Sequence, residues 1–220
     1  MVKQSNTAVH ADGRRERRKE EMRSQIFQAA MRLFERKGVF DTTVEEITES
    51  ADVAKGTFFN YFPSKEAILS KLADRQIGVI KQAAEASRTA PSMRPILINM
   101  AHDLASGPGR SPMMLRSLLS VFLGNKLLSE TFQKALQMGR ENVAIIMERG
   151  QRLGEIRTDL SPTELARIFQ HAMFGSMFIW SVSQPSDARP WMDKTFDVVW
   201  CGIAVQNGPH SSSPSREKGL

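Results

Sequence analysis

Apolar residues recur at the three-and-four spacing of a helical face along most of the chain. From about Arg17 to Lys37, Ile26, Ala29, Ala30, Leu33 and Phe34 share one side. Gly38, following Arg36 and Lys37, predicts a left-handed C-cap, with Val39 and Phe40 folding back onto the apolar face. Thr42 and Thr43 each have a glutamate three residues later, so either can open a short helix with a capping box. Ile47 and Ala51 face inward in that helix. Asp52 and Val53 mark a tight break, and a second short helix is expected from about Lys55 to Phe62, stopped by Pro63. Ser64, Glu66 and Ala67 then start a longer helix that carries Ile68, Leu69 and Leu72.

The same periodicity continues from about Arg75 to Asn207. Breaks are expected near Ala90–Ser92, Ser106–Pro112, Gly124, Gly154–Thr158 and Gln184–Pro190. Ser161-Pro162-Thr163-Glu164 is a strong helix start, with an N-cap serine, a proline in the first helical position and a glutamate at the third. No stretch alternates β-branched residues between turn signals, so no strand is predicted. The fold class is all-α: an N-terminal three-helix domain followed by a larger C-terminal helical domain. The expected divisions are a disordered basic arm at 1–16, a helix-turn-helix domain at 17–72, a second domain at 73–207 and a disordered tail at 208–220.

Composition narrows this picture without overturning it. With 41% hydrophobic and 25% charged residues the chain falls in the ordinary globular class. The single cysteine, Cys201, excludes an internal disulfide framework, fits a reducing cytoplasm, and is expected to be buried beside Trp200 and Ile203. Residues Ile168 to Ser186 carry no charge, but polar side chains interrupt them before the ~20 apolar residues of a membrane span. No secretory signal pattern opens the chain, and no membrane association is expected. The net charge is +6, and Arg14, Arg15, Arg17, Arg18 and Lys19 crowd into six positions. Such an arm attracts polyanions, although Glu45, Glu46 and Glu49 offset it downstream. Basicity alone therefore leaves DNA, an acidic membrane surface and plain solvation open. Metal-ligand spacing, a nucleophile elbow and a phosphate-cradling glycine loop are all missing, and Gly107-Pro108-Gly109 reads as a turn. No catalytic residue, metal or cofactor is expected, and the chain is not read as an enzyme.

The segment from Thr42 to Phe62 decides between these options. Ile47, Ala51, Val53, Phe58 and Phe62 supply a small core that fixes two short helices against each other and the first helix. The second helix then presents Lys55, Thr57, Phe59, Asn60 and Tyr61. Gly56 leaves its N-terminus free of side-chain bulk, so that it can approach a groove wall closely. In helix-turn-helix motifs this second helix enters the major groove and reads base edges. The run from Thr42-Thr43-Val44-Glu45-Glu46-Ile47 through Ala51-Asp52-Val53-Ala54-Lys55-Gly56-Thr57-Phe58-Phe59-Asn60-Tyr61-Phe62-Pro63-Ser64-Lys65-Glu66 resembles the DNA-binding domain of the TetR (tetracycline-repressor-like) family. The resemblance covers roughly residues 20 to 72. It implies a phosphate contact at Thr43, backbone and base contacts at Lys55, Gly56 and Thr57, and phosphate contacts at Tyr61 and Lys65. Phe59 departs from the more usual tyrosine and can pack on a thymine methyl, while Asn60 can pair with adenine.

The resemblance also implies a homodimer on a palindromic double-stranded DNA operator, formed by helices at about Pro162–Val182 and Pro190–Val205. Ala172, Gly175 and Ser176 line one side of the first of these, and Trp191, Phe196, Val199, Trp200 and Ile203 give the second an apolar face. A regulator of this kind, commonly a repressor, would release DNA on binding a small-molecule effector. Met100, Phe122, Met147, Met173, Phe174, Met177 and Trp180 are the candidate apolar lining, and His102 and His171 the candidate polar groups.

Overall fold

The computed structural model describes residues 6–106, 111–183 and 189–205. Among them are the helices α1 (Asn6–Lys37), α2 (Val44–Ser50), α3 (Lys55–Tyr61), α4 (Ile68–Ala86) and α5 (Met93–Ser106). These are followed by α6 (Pro112–Gly124), α7 (Lys126–Arg152), α8 (Pro162–Ser183) and α9 (Arg189–Ile203). No strand occurs among these residues; one isolated antiparallel bridge joins Ile156 to Ala204. The Gly107-Pro108-Gly109 turn and the tail at 208–220 lie outside the described residues.

Helix α1 begins at Asn6 rather than near Arg17. The physical reason is local: residues 6–20 hold alanine, arginine, glutamate and lysine, strong helix formers, with no proline and one glycine. Nothing there separates the basic segment from the amphipathic one. At its other end Gly38 takes φ +85° and its amide bonds Phe34 O at 2.9 Å, the expected left-handed cap. Val39 folds inward and is fully buried, whereas Phe40 is 61% exposed, against expectation. Thr42, buried and bonded to Gly38 O at 2.7 Å, takes the inward position of that turn.

Two apolar clusters organise the molecule. The first gathers Ile26, Ala30, Phe34, Ile47, Phe58 and Phe62 with Leu69 and Leu72 of α4, and with Met114, Leu118 and Phe122 of α6. The second joins Met93, Leu97, Val143, Ile146, Leu165, Phe169, Phe196 and Ile203 at the far end. Helix α4 runs unbroken across position 72 and belongs to both, with Ala84 in the second. Met147, expected in a ligand pocket, is fully buried in the second cluster, one turn beyond Val143.

Several ends are fixed by polar groups distant in sequence. At the start of α5, Glu155, from the loop after α7, accepts from Met93 N at 2.6 Å and Ser92 Oγ at 2.6 Å. That loop turns at Gly154, with φ +72°, and packs Ile156 against the last turns of α7, where a Cβ added to Gly150 would stand 2.4 Å from Ile156 Cδ1. The loop is stitched to the end of α9 by Arg157 N to Ile203 O and Val205 N to Glu155 O, both 2.9 Å. Helix α8 opens on the expected capping box between Ser161 and Glu164.

On α9, Phe196 and Ile203 face the intramolecular core, and Trp191 and Val198 are exposed on the outward side, with Val205 exposed just beyond the helix. Ser176 is likewise turned inward, accepting from Thr195 Oγ1 at 3.1 Å. Cys201 is exposed rather than buried, because it follows Trp200 by 100° of helical rotation, away from the Phe196–Ile203 face. None of the described helices is long and apolar enough to cross a membrane.

Candidate nucleic-acid interface and adjoining cavity

Helix α2 is held at its start by Thr43: its hydroxyl accepts from Glu46 N at 3.2 Å, and Glu46 Oε2 accepts from Thr43 N at 2.8 Å. Of the two threonines, it is thus Thr43 that forms the capping box. Lys37 also bonds the Glu46 carboxylate; this bond, followed by those from the Thr43 amide and hydroxyl, pulls the Glu46 pKa down to about 2. The end of α1 and the start of α2 are locked by one side chain.

The turn into α3 needs a left-handed residue, and Asp52 supplies it at φ +51°, a conformation that short polar side chains tolerate. Its neighbours close the turn through Val53 N to Thr48 O at 3.0 Å and Ala51 N to Ile47 O at 2.9 Å. Gln25 on α1 ties the turn from outside, donating to Ala51 O at 2.7 Å. Phe58 is fully buried and Phe62 nearly so, which leaves the opposite side of α3 outward. Lys55, Gly56, Phe59 and Asn60 are exposed there, and Thr57 and Tyr61 are half-buried. Phe59 is 47% exposed on that side. Its ring stands edge-on to Phe58, with centroids 5.2 Å apart, so its direction is fixed. Nothing approaches within 4 Å of a Cβ built on Gly56, leaving the start of α3 open. Lys55 pairs with Glu45, and that bond lowers the Glu45 pKa.

Lys65 bridges two segments of the motif. Its ammonium donates to Phe40 O at 2.9 Å and Thr42 O at 2.7 Å, tying the turn between α1 and α2 to the segment before α4. Sequence alone holds no signal for this, since the carbonyls lie more than twenty residues away.

A cavity of about 260 Å³ lies between α4, α5, α6, α7 and α8. Met100, Phe122, Met173, Phe174 and Met177, named above as candidate lining, border it. Met147 and Trp180 do not: the first belongs to the second cluster, and the second is buried outside the lining. Sequence reasoning missed Leu69, Leu72, Gln76, Phe132 and Gln170, although Leu69, Leu72 and Gln76 continue the periodicity of α4 past the expected domain boundary. Phe132 stacks on Phe122 with centroids 4.3 Å apart. Gln76 and Gln170 are the polar side chains of the lining, and no charged residue contributes. Gln170 is oriented by its amide, which donates to Leu136 O at 2.9 Å. Of the two histidines, His102 pairs with Asp193 and His171 is exposed on α8. Among the described residues no group of three or more His, Cys, Asp or Glu could hold a metal ion.

The cavity and the first cluster share walls. Leu69, Leu72, Leu118 and Phe122 belong to both. Helix α6 is moreover hydrogen-bonded to α1 and the turn after it: Ser111 Oγ donates to Glu35 O at 3.1 Å, and Ser117 Oγ accepts from Val39 N at 3.4 Å.

Residues 26–72 match the pattern of "Bacterial regulatory proteins, tetR family". A regulator from Bacillus subtilis, YuxN, described as an uncharacterized HTH-type transcriptional regulator, is 38% identical over 72 residues, covering 30% of this chain and 25% of YuxN. The chain spans about a quarter of the length of the curated relatives it matches. Among solved structures, the TetR-family repressor FadR of Thermus thermophilus, in complex with lauroyl-CoA, is 26% identical with a TM-score of 0.61, covering 85% of this chain and 97% of FadR. A transcriptional regulator from Saccharomonospora viridis, in complex with choline, shares the fold at 19% identity and a TM-score of 0.68, covering 85% and 100%. These matches are described as transcriptional regulators. The capping box at Thr43, the left-handed turn at Asp52 and the outward face of α3 thus sit in the segment that matches the tetR family of bacterial regulatory proteins.

Proposed function

We propose that the protein is a homodimeric transcriptional repressor that binds a palindromic operator through α3 and releases it when a small uncharged, apolar effector fills the cavity. The observation that carries this reading is the shared wall: Leu69, Leu72, Leu118 and Phe122 serve the cavity and the core that positions α3. A ligand pressing on them displaces α4 and α6 relative to α1 and alters the spacing of the two recognition helices. Differential affinity for the two spacings is all that release requires.

In this reading Thr43, Lys55, Gly56, Thr57, Phe59, Asn60, Tyr61 and Lys65 meet DNA, and Lys65 also holds the motif's first turn. The two solved relatives hold molecules as unlike as lauroyl-CoA and choline, so the fold does not select the effector and the lining must. A lining without charge disfavours an ionised group inside, since burying one unpaired costs several kcal/mol. Gln76 and Gln170 suit a ligand with one or two hydrogen-bonding groups on an apolar or aromatic body. The homodimer is supported by exposed apolar residues, Ile168, Phe178, Ile179 and Val182 on α8 and Trp191 and Val198 on α9, with Val205 just beyond it. Two-fold symmetry matches a palindromic site with half-sites one helical turn apart.

The test is selection of bound fragments from genomic DNA at ~150 mM salt, where non-specific contacts are suppressed. The reading expects an enriched palindrome, lost on Phe59→Ala with Asn60→Ala. Uncharged aromatic ligands should release the wild type but not Ala135→Phe, which fills the cavity from α7. Enrichment without any sequence preference overturns the operator, and equal response of the filled variant overturns the cavity as the effector site.

A further inference from the structure

The polar character of the cavity turns on one carboxamide. Gln170 on α8 is held by two hydrogen bonds to α7: its Nε2 donates to Leu136 O at 2.9 Å, and its Oε1 accepts from Arg140 Nη1 at 3.3 Å. A backbone carbonyl only accepts and a guanidinium only donates, so the carboxamide has a single orientation. Turned over, it would set its N–H groups against the guanidinium and its oxygen against a carbonyl.

One donor is then left over. Nε2 carries two hydrogens, Leu136 takes one, and the other has no partner among the described residues. The nitrogen stands beside Gly139, another lining residue: a Cβ built there would lie 3.8 Å from Nε2 and 3.1 Å from Ile80 Cδ1. Any side chain at 139 would crowd the nitrogen from α7. Arg140 does more than orient the amide. It lies outside the lining, and among the described residues no carboxylate pairs with it. Its charge draws electron density toward Oε1 and strengthens the N–H dipoles of the same group. Gln170 therefore faces the cavity as a donor, with a positive charge behind it and none inside. Gln76 on α4 has no such fixed role, since its side chain makes no hydrogen bond among the described residues and can present either end.

Resting on the reading of this cavity as the effector site, we infer that Gln170, held by Arg140, determines its specificity and selects an uncharged carbonyl compound. The class is a ketone, quinone or lactone on an apolar ring body. Its carbonyl oxygen accepts the remaining Nε2 hydrogen, and its rings fill the space beside Met173, Met177 and the stacked Phe122 and Phe132. A carbonyl has no hydrogen of its own, so no polar group is buried without a partner. A hydrocarbon leaves the N–H unanswered, and a carbinol brings a hydroxyl hydrogen that falls to Gln76.

Tetralone, tetralol and tetralin test this, because they share one ring body and differ at a single carbon bearing a carbonyl, a hydroxyl or hydrogens alone. Each is titrated against N-phenylnaphthylamine, an uncharged fluorophore, on the full chain without DNA. Wild type should bind tetralone about ten-fold tighter than tetralin, the worth of about one net hydrogen bond, and tetralol no tighter than tetralone. Gln170→Met keeps length and helix propensity and should bring tetralone down to tetralin, whose own affinity holds. Arg140→Leu frees the carboxamide to turn over, so tetralol should draw level with tetralone. Arg140→Lys restores a cationic donor and should return the preference for the ketone, whereas a merely structural arginine would move all three affinities alike. Equal binding of tetralone and tetralin by wild type overturns the inference without need of any variant. So does a ketone preference that survives Gln170→Met. Failure of all three to displace the fluorophore overturns it together with the cavity as a ligand site. A ketone preference that vanishes in Gln170→Met while tetralone leaves operator affinity unchanged supports the role of Gln170 and counts against effector release alone.

Discussion

Alanine at position 38 perturbs the junction between the DNA-binding part and the cavity at one atom. Gly38 holds φ +85°, where an L-residue costs about 1–2 kcal/mol. The added Cβ would also lie 2.8 Å from Ser117 Oγ on α6. The hydroxyl can swing away, but the Val39 amide that donates to it at 3.4 Å then loses its partner, for about 1 kcal/mol. Gly38→Ala should therefore cost about 2–3 kcal/mol, and Ser117→Ala alone about 1 kcal/mol. In the double variant the Cβ has no oxygen to meet and the hydrogen bond is already gone. Its cost should then fall about 1 kcal/mol short of the sum of the singles, a coupling that distant sites do not show. Urea unfolding at fixed protomer concentration measures all four corners, since a dimer's midpoint moves with concentration. Strict additivity would mean that position 38 and α6 do not feel each other, and the proposed transmission from cavity to α3 would be missing one of its links.

Acid should weaken the motif through Glu46. Its folded pKa of about 2 lies below the ordinary value of 4.5, so its contribution is complete above about pH 4.5 and fades as pH falls toward 2. Glu46→Gln should flatten that part of a stability-against-pH curve measured by urea midpoint, and an unaltered acid limb would contradict the capping arrangement. Gly150→Ala drives a Cβ to 2.4 Å from Ile156 Cδ1 and should lower stability by about 1–3 kcal/mol, read as a reduced melting temperature. Ile179→Glu with Val198→Glu places charges on residues 58% and 74% exposed in the single chain. Sedimentation should then show a folded monomer with weakened operator binding, and an unaffected dimer would move the interface elsewhere.

Local chemistry was legible wherever it decided structure. Thr43 with Glu46, Gly38 after two cations, and Ser161 with Glu164 each announce a helix end through a hydrogen bond spanning three or four residues. The inward positions of α1 were legible for the same reason, since their spacing is a property of the helix alone. Contacts set by tertiary placement were not. Lys65 looks like any cation before a helix until the carbonyls of Phe40 and Thr42 arrive beside it. Met147 and Met173 are both methionines on amphipathic helices, and only the paths of α7 and α8 decide that the first enters the second core and the second lines the cavity. Phe40 and Cys201 went the other way, apolar in type but turned outward by the geometry of a turn and a helix face.

Glu155 binds the start of α5 to the loop after α7, and the same loop is laced to the end of α9. The start of one helix and the ends of two others thus meet in a knot at the pole opposite the recognition helices. A structure anchored at one pole cannot share a strain evenly along its length. Under the proposed function, an effector wedging α4 and α6 apart would work against this anchored pole, while serine hydroxyls and leucine contacts hold the other, so displacement would accumulate toward α3. The knot acts as the fulcrum and α4, about 28 Å long over its nineteen residues, as the lever arm.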